Sequence, residues 1–392
     1  MGKKEKYFKN LMSAHRISNG QSGLAQELLI KNRSAMIDYA TNYIKNKYYK
    51  ETEISLAMGR AIILKAPLMR NSVVLEKGII LLKFTNSFGV LFQKYDFNRI
   101  SEDYYIVLEP SWAGYCLPEI IVWASLNNPV IIQATDSCDL NFLTLVSDNL
   151  NGIPIGSSNW VDDSYFYPIS GTKKVYDVLY VTNYNRIKRH HIFFKAISKA
   201  VTVDPCFRAA IACGAAGSDR EVIFDLMDYY EVKDFIDIYE SINKEKLNEL
   251  INSSYCNVLL SLKEGSNRSL FETMFSGVPV ILHKNNVGVR KDYINSLTGL
   301  LADDDSLLSA IIWIKDHFDQ FDPLKWAIEN ISPEITTENL VSVIRKIEAN
   351  QQWGRSSEIF VKVNSPEAKY KGSVPKGDLS DASIILNSYS GQ

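Results

Sequence analysis

Two glutamates eight positions apart, Glu264 and Glu272, flank an expected helix start and could place carboxylates around one bound ligand. The apolar run Val258 to Leu260 breaks at Ser261 into a polar loop carrying Glu264 and Gly265. Apolar residues then return at helical spacing, Leu270, Phe271, Met274 and Phe275, before Gly277. That order reads as strand, loop, helix and glycine stop. A second apolar run, Pro279 to Leu282, has no tight turn joining it to the first, so the two are expected as parallel strands joined across the helix. Backbone N–H groups near Ser266, Asn267, Arg268 and Ser269 would lack intrahelical acceptors, and the helix dipole adds positive charge there. Such an end favours a phosphate. Glu264 sits just outside this anion site and suits sugar hydroxyls; Glu272, about two turns into the helix, suits a ribose. Spacing alone equally allows Glu264 as a solvated loop residue and Glu272 as a helix-surface acid.

The elements that must hold this stretch alternate along the chain. Residues 1 to about 50 carry ten Lys or Arg against three acids, with apolar residues at roughly helical spacing. A basic amphipathic face of this kind meets an anionic membrane or a phosphorylated acceptor, or is a solvated helix face. Strands are expected at Arg60–Leu68, Gly78–Thr85, Tyr104–Leu108 and Pro129–Gln133, with helical spacing from Leu117 to Leu126. The pattern is that of an α/β domain with a mostly parallel sheet, whose ligands sit beyond the carboxyl ends of the strands. The wall-forming loops are then Thr85–Gly89, Glu109–Gly114 and Thr135–Asp139, with Asp136 also a candidate cap for the next helix. A second alternating set follows: strands Tyr176–Thr182, Arg208–Cys213 and Asp234–Ile238, and a helix Lys244–Ile251. The glycine and alanine run Gly214, Ala215, Ala216 and Gly217 allows close backbone approach to a ligand. Asp303, Asp304 and Asp305 precede helical spacing from Leu307 to Ile314 and read as a cap in preference to a metal site. His190 and His191 read as exposed helix residues. From about Gln351 the chain turns to Ser, Gly, Lys and Pro, as a flexible tail or a late-docking strand would.

Length and composition agree with two or three domains. The 392 residues are 46% hydrophobic, enough for sizeable cores, and the net charge of −2 gives no overall case for nucleic acid. The charged start MGKKEKYFKN lacks the apolar core of a signal peptide, and no apolar span is long enough for a membrane helix. A cytoplasmic protein is expected, with peripheral contact at the inner membrane face through the basic N-terminus. Five scattered cysteines without CxxC spacing read as reduced and buried.

The stretch from Tyr255 to Leu301 resembles the donor-site signature of retaining nucleotide-sugar glycosyltransferases of the glycosyltransferase-B fold, family four. The family shows Glu, seven residues, Glu, then a small residue, Gly, one residue, Pro and Val; Glu264, Glu272, Gly277, Pro279 and Val280 match. Gly288 and the Thr298-Gly299-Leu300-Leu301 ending also fall in place. Asn159, Val161, Asp162, Phe166 and Pro168 are similar to the segment that closes the family's N-terminal domain. The resemblance implies two Rossmann-like α/β domains facing across a cleft, with a helical N-terminal extension and a C-terminal tail. The expected boundaries are 1–58 for the extension, 59–170 for the acceptor domain and 171–325 for the donor domain. Helices crossing back would span 326–350 and the tail 351–392.

The resemblance also assigns roles. Glu264 orients the donor sugar, Glu272 the ribose, and Lys188 counters charge on the diphosphate. Gly214 and the residues from Gly265 to Ser269 complete the donor site. Asn183 stands where the family commonly has Arg, so Arg186 or Arg189 is expected to substitute, Arg186 being otherwise a solvated loop charge. Asn86, Ser87, Gly89, Trp112 and Thr135 form the acceptor wall. Many relatives carry a His beside the donor sugar, but the single His before the linker is His15, and Asp136 or Thr135 takes the nearest corresponding place. The implied enzyme is a metal-independent, hexosyltransferase-like protein of polysaccharide biosynthesis without a cofactor. Its donor is a nucleoside diphosphate sugar, its acceptor a glycan or glycolipid hydroxyl held between the domains. Two alternatives remain: a catalytically silent partner subunit binding another glycosyltransferase or a membrane, and a sugar-nucleotide epimerase. A dinucleotide-dependent oxidoreductase is disfavoured because no GxGxxG opens a helix after a strand.

Overall fold

The computed structural model describes residues 2–214, 217, 219–347, 359–365, 367–372 and 382–390. The chain forms two compact units, residues 1–160 with 336–392 and residues 161–335. The boundary falls within the Asn159–Pro168 segment instead of the polar run Ser170–Lys174, because Val161 and Phe166 are already packed in the core of the second unit.

The first unit begins with helices α1 (Lys3–Ile17), α2 (Gly23–Lys31), α3 (Arg33–Asn46) and α4 (Glu51–Met58). Phe8, Met12 and His15 of α1 and Met36, Ala40 and Ile44 of α3 are buried, so the apolar faces of these helices cover this unit's own core. Among the described residues no helix is long and apolar enough to cross a membrane. Strands β1 (Ala61–Lys65), β2 (Leu68–Arg70), β3 (Val73–Glu76) and β4 (Gly78–Lys83) follow, then α5 (Thr85–Lys94), α6 (Phe97–Asp103), β5 (Tyr104–Glu109), α7 (Pro118–Ile121), β6 (Val130–Gln133), α8 (Ser137–Val146) and β7 (Leu150–Ile153). The sheet order is β1-β4-β5-β6-β7, parallel except for β1. The runs GIILLK and YYIVLE are buried along their whole length, as parallel strands covered on both faces must be.

The second unit contains β8 (Val178–Asn183), α9 (His190–Val203), β9 (Ala209–Gly214), α10 (Arg220–Tyr229), β10 (Ile236–Glu240), α11 (Lys244–Asn252), β11 (Asn257–Leu259), α12 (Arg268–Phe275), β12 (Val280–His283), β13 (Gly299–Ala302), α13 (Leu307–Asp316) and α14 (Pro323–Ile331). Its sheet is wholly parallel, in the order β10-β9-β8-β11-β12-β13. Counted from β8 this is 3-2-1-4-5-6, the doubly wound order whose direction reverses between β8 and β11. Gly277, at φ +73, ends α12 in the left-handed conformation that glycine adopts without a Cβ clash.

Helix α15 (Pro333–Ile347) returns the chain to the first unit at Thr336, and Leu340 and Ile344 join its core. Of the two expectations for the C-terminal tail, its described residues follow the late-docking strand. Strands β14 (Lys362–Ser365) and β15 (Glu367–Tyr370) pair antiparallel, and α16 (Ala382–Ser388) buries Ala382 and Leu386. Lys362 is fully buried: its Nζ lies 2.6 Å from Glu109 Oε2 and 3.0 Å from Asn364 Oδ1, while Asn364 Nδ2 donates to Glu109 Oε1 at 3.0 Å. Residues 253 positions apart, which no local pattern links, therefore share one buried charge pair. Cys116, Cys213 and Cys256 are buried as expected, whereas Cys138 and Cys206 are exposed.

His190 departs furthest from its sequence reading. It is 2% exposed, packed on the rings of Tyr180 and Phe194, and among the described residues neither ring nitrogen has a hydrogen-bond partner. Burial, then the nearby Lys188 charge, lowers its pKa from 6.5 to about 4. The unfolded chain therefore takes up this proton first on acidification, so the stability contribution is complete above pH 6.5 and is lost as pH falls toward 4. His190→Phe should flatten the pH dependence of unfolding free energy across that window by up to about 1.4 kcal/mol per pH unit. Identical slopes for the two proteins in urea titrations would mean that His190 protonates freely in the fold. In the first unit, Lys362→Met leaves Glu109 buried without its cation, at an expected cost of about 3–5 kcal/mol. The same titration should show Lys362→Met combined with Glu109→Gln to be less destabilising; a neutral single variant would show that the tail contributes nothing to this unit.

Candidate active site

A parallel sheet that reverses its winding leaves a crevice beyond the carboxyl ends of the strands flanking the switch. Here those strands are β8, ending at Asn183, and β11, followed by the loop to α12. Glu264 lies in that loop and is buried, with its backbone N–H donating to Val287 O at 2.8 Å and Val287 N–H returning to Leu262 O at 2.8 Å. Asn286 Nδ2 adds a bond to Ser261 O at 2.7 Å. The loop is thus zipped to the segment after β12, which fixes the carboxylate.

The structure brings Glu264 and Lys188 together. Lys188 Nζ lies 2.5 Å from Glu264 Oε1, and Ser261 Oγ donates to the same oxygen at 2.5 Å. The lysine and glutamate side chains are 11% and 7% exposed. A charge-assisted bond this sheltered holds both groups in one place. Tyr180 OH donates to Lys188 O, so the backbone of the lysine is anchored as well.

Helix α12 starts at Arg268, with Asn267 as its N-cap. Asn267 Oδ1 accepts from Ser269 Oγ at 2.6 Å and from Leu270 N–H at 3.4 Å. The start falls within the expected window, Ser266 to Ser269. Gly265, Ser266 and Asn267 are half-buried, Arg268 is exposed and Ser269 is buried. Glu272 is no surface acid: it is 9% exposed, and among the described residues its carboxylate accepts no hydrogen bond. Burial raises its pKa, against the lowering effect of Arg268 and Lys244. A buried carboxyl in that state is short of donors, which a ligand's hydroxyl groups can supply.

At the other side of the switch, Asn183 pairs in register with Gly214 at the ends of β8 and β9. Among the described residues, Asn183 Oδ1 is buried with no hydrogen-bond partner. Gly217, at φ +131, brings its backbone so close to Tyr184 that a Cβ would lie 2.0 Å from Tyr184 O. Ala215 and Ala216 lie outside the described residues. Arg186 projects from the loop, its side chain 73% exposed, with Nε 3.1 Å from Asp219 Oδ1. Arg189 is drawn elsewhere, donating to Asp304 Oδ2 at 2.5 Å and to Leu260 O at 3.2 Å, so the expectation that it substitutes for the missing arginine fails on geometry. Asp304 also bonds His283 Nε2 at 3.0 Å, while Asp303 Oδ1 accepts from Ser306 N–H at 2.8 Å in the turn before α13, whose N-cap is Ser306 and not a member of the acidic run. Ser261, Asn286 and Asp219 were not marked by any sequence pattern; their role is to hold the marked residues, which leaves no spacing to read.

The residues expected in the first unit scatter. Asn86, Ser87 and Gly89 lie in α5, not in a turn. Gly89 is buried against α3, where a Cβ would meet Tyr49 Oη at 2.5 Å, and Ser87 Oγ accepts from Arg60 at 3.1 Å. These two are packing residues, and of the three Asn86 alone is exposed. Trp112 is half-exposed in the loop after β5, and Thr135 is half-buried after β6. Asp136 caps α8, accepting from Cys138 N–H at 2.9 Å and Asp139 N–H at 3.4 Å, so its expected catalytic place is taken by helix capping. Asp139 holds the preceding loop instead, accepting from Gly114 N–H and Tyr115 N–H at 2.7 Å each.

Comparison with known proteins fits this geometry. Residues 168–316 match the family of glycosyl transferases group 1. No curated protein sequence matches the chain. Among solved structures, sucrose-phosphate synthase from Thermosynechococcus elongatus aligns with a TM-score of 0.55 at 18% identity, over 83% of this chain and 80% of that one. Anabaena HepE, solved in complex with UDP-glucose, aligns with a TM-score of 0.52 at 12% identity, over 69% and 78%. The pneumococcal O-GlcNAc transferase GtfA aligns at 13% identity over 64% of this chain with a TM-score of 0.47, and the chain spans 54% of its length. Residues 168–316, which carry the switch-point residues of the second unit, are thus similar to the glycosyl transferases group 1, and the chain has the GT-B fold.

Proposed function

We propose that the chain is a retaining glycosyltransferase that moves a sugar from a nucleoside diphosphate sugar to a hydroxyl of a glycan or glycolipid. The observation that carries this reading is the sheltered Lys188–Glu264 pair at the switch point, its glutamate in the loop that leads into α12 and the buried Glu272. Breaking the bond between the anomeric carbon and the β-phosphate oxygen puts negative charge on the leaving diphosphate. Lys188 and the N-terminus of α12 face that charge and stabilise it as it develops. Glu264 accepts hydrogen bonds from the sugar, and the donor-poor carboxyl of Glu272 takes the two ribose hydroxyls. Asn183 Oδ1 accepts a further donor from the nucleotide or sugar. The acceptor oxygen bonds to the anomeric carbon on the face the phosphate leaves, and its proton passes to the departing phosphate. The residues assigned here accomplish this without a metal ion or cofactor. HepE holds UDP-glucose on the same fold, which makes a uridine nucleotide the first donor to try.

Two substitutions separate the roles. Glu272→Ala removes charged hydrogen bonds worth about 1.5–3 kcal/mol each, so UDP affinity by calorimetry should fall tenfold or more. Unchanged affinity would remove Glu272 from the nucleotide site. Lys188→Ala removes a cation that acts on developing charge, so turnover should fall about 10²–10³-fold with a smaller change in donor binding. A normal turnover number would sink its assignment.

A further inference from the structure

A hollow of about 580 Å³ opens in the first unit between α1, α3 and the segment Cys116–Glu119. Its volume is that of a site for a ligand of a few rings. The facing stripes of α1 and α3 are apolar, with Phe8 stacked on Tyr39 at 5.8 Å between ring centroids. Above them the lining carries polar groups at four-residue spacing on both helices: Glu5 and Lys9, exposed, and Ser13, half-buried, on α1, and the exposed Asp38, Asn42 and Asn46 on α3. Among the described residues, the side chains of Ser13, Asp38 and Asn42 make no hydrogen bond to the protein. Tyr39 and Tyr43 stand together in the same wall, ring centroids 6.1 Å apart, and Met12 and Leu117 complete an apolar portion.

Charge narrows the ligand. Three cations, Lys4, Lys9 and Lys47, share the lining with Glu5, Asp38 and Glu119, and Arg16 adds one more positive group. Lys47 Nζ is 3.0 Å from Glu119 Oε1, so that cation is already spent. A phosphate would meet carboxylates almost as often as cations, and attraction and repulsion would largely offset. A sugar hydroxyl, which donates and accepts, finds partners of either sign, and an aromatic wall suits the apolar face of a pyranose ring.

The hollow is also continuous with the loop that follows β5. Cys116 to Glu119 line it directly, and Trp112 lies four residues before Cys116 on the loop whose Gly114 and Tyr115 N–H groups Asp139 holds. We propose that this hollow is a binding site for a neutral oligosaccharide, the part of the acceptor that lies away from the reacting hydroxyl. The assignment of the bound glycan as acceptor rests on the transferase reading; the site itself does not.

Saturation-transfer NMR of the full chain with maltotriose, cellotriose and chitotriose tests it. At least one trisaccharide should bind. Asn42→Trp, a substitution at an exposed helix position that fills the hollow, should weaken that binding tenfold or more while circular dichroism stays unchanged. Tyr43→Ala, also on the exposed face of α3, should weaken it as well. Binding of none of the three, equal binding by both variants, or stronger competition by inorganic phosphate than by any trisaccharide would overturn the proposal. Hydrolysis of a nucleoside diphosphate sugar by the wild-type chain, measured in parallel, reads the transferase assignment alone. Hydrolysis without trisaccharide binding overturns the hollow and keeps the transferase; trisaccharide binding lost in Asn42→Trp without hydrolysis does the reverse.

Discussion

The ion pair between Lys188 and Glu264 joins the two halves of the second unit's sheet at the point where its winding reverses. Lys188 follows β8, the innermost strand of one half, and Glu264 follows β11, the first strand of the other. Parallel strands must be connected through crossovers, and a reversal of order sends those crossovers to opposite faces of the sheet. The loops on either side of the reversal part as a consequence, and something must hold them at a fixed spacing. A lysine and a glutamate, both sheltered from water, do so here, with Ser261 and the backbone zipper to Val287 fixing the glutamate from behind.

The same pair sets the electrical character of the crevice. Three cations near it have carboxylates: Lys188 has Glu264, Arg186 has Asp219 and Arg189 has Asp304, while Arg268 at the start of α12 is exposed. On the reading proposed above, a bound diphosphate competes for Lys188 with Glu264 instead of meeting a bare ammonium. Competition of this kind weakens ground-state attraction more than it weakens stabilisation of a leaving group, because charge on the β-phosphate rises as the bond to the sugar breaks. Glu264 released from Lys188 becomes a free acceptor for sugar hydroxyls at the same moment.

What the sequence disclosed follows physical lines. The central strands β4, β5 and β6 were readable because a parallel strand buried on both faces is a largely apolar run, as GIILLK, YYIVLE and VIIQ are, whereas β7, half-buried at Asn151 and Gly152, was not marked. The start of α12 was readable to within two residues because cap residues and apolar spacing are local. Glu264 and Glu272 could be marked by spacing, yet their burial could not, since it depends on β12, α11 and α14 closing over them. Long-range pairings were invisible for the same reason. Nothing near Lys362 announces Glu109, and a polar, glycine-bearing tail reads as disorder until Lys362 is placed against a carboxylate 253 residues earlier. Gly89 was misplaced because glycine after a strand suggests a turn, whereas here it admits Tyr49 and Ile44 to the surface of a helix.

The departures from the family pattern make physical sense together. Asn183 replaces an arginine at the end of β8, and the first unit offers no histidine at the place the family uses, its single His15 being buried against Phe142. With Asn183 in place of a guanidinium, and Lys188, Arg186 and Arg189 each paired with a carboxylate, less positive charge is left for long-range attraction to a dianion, and on the reading proposed above short, directional bonds carry more of the recognition. The buried and donor-poor Glu272 and Asn183 Oδ1, which has no partner among the described residues, are groups of that kind. They reward a ligand carrying hydroxyls and amides in fixed places more than one carrying charge alone, which is the discrimination between a sugar nucleotide and a simple polyphosphate.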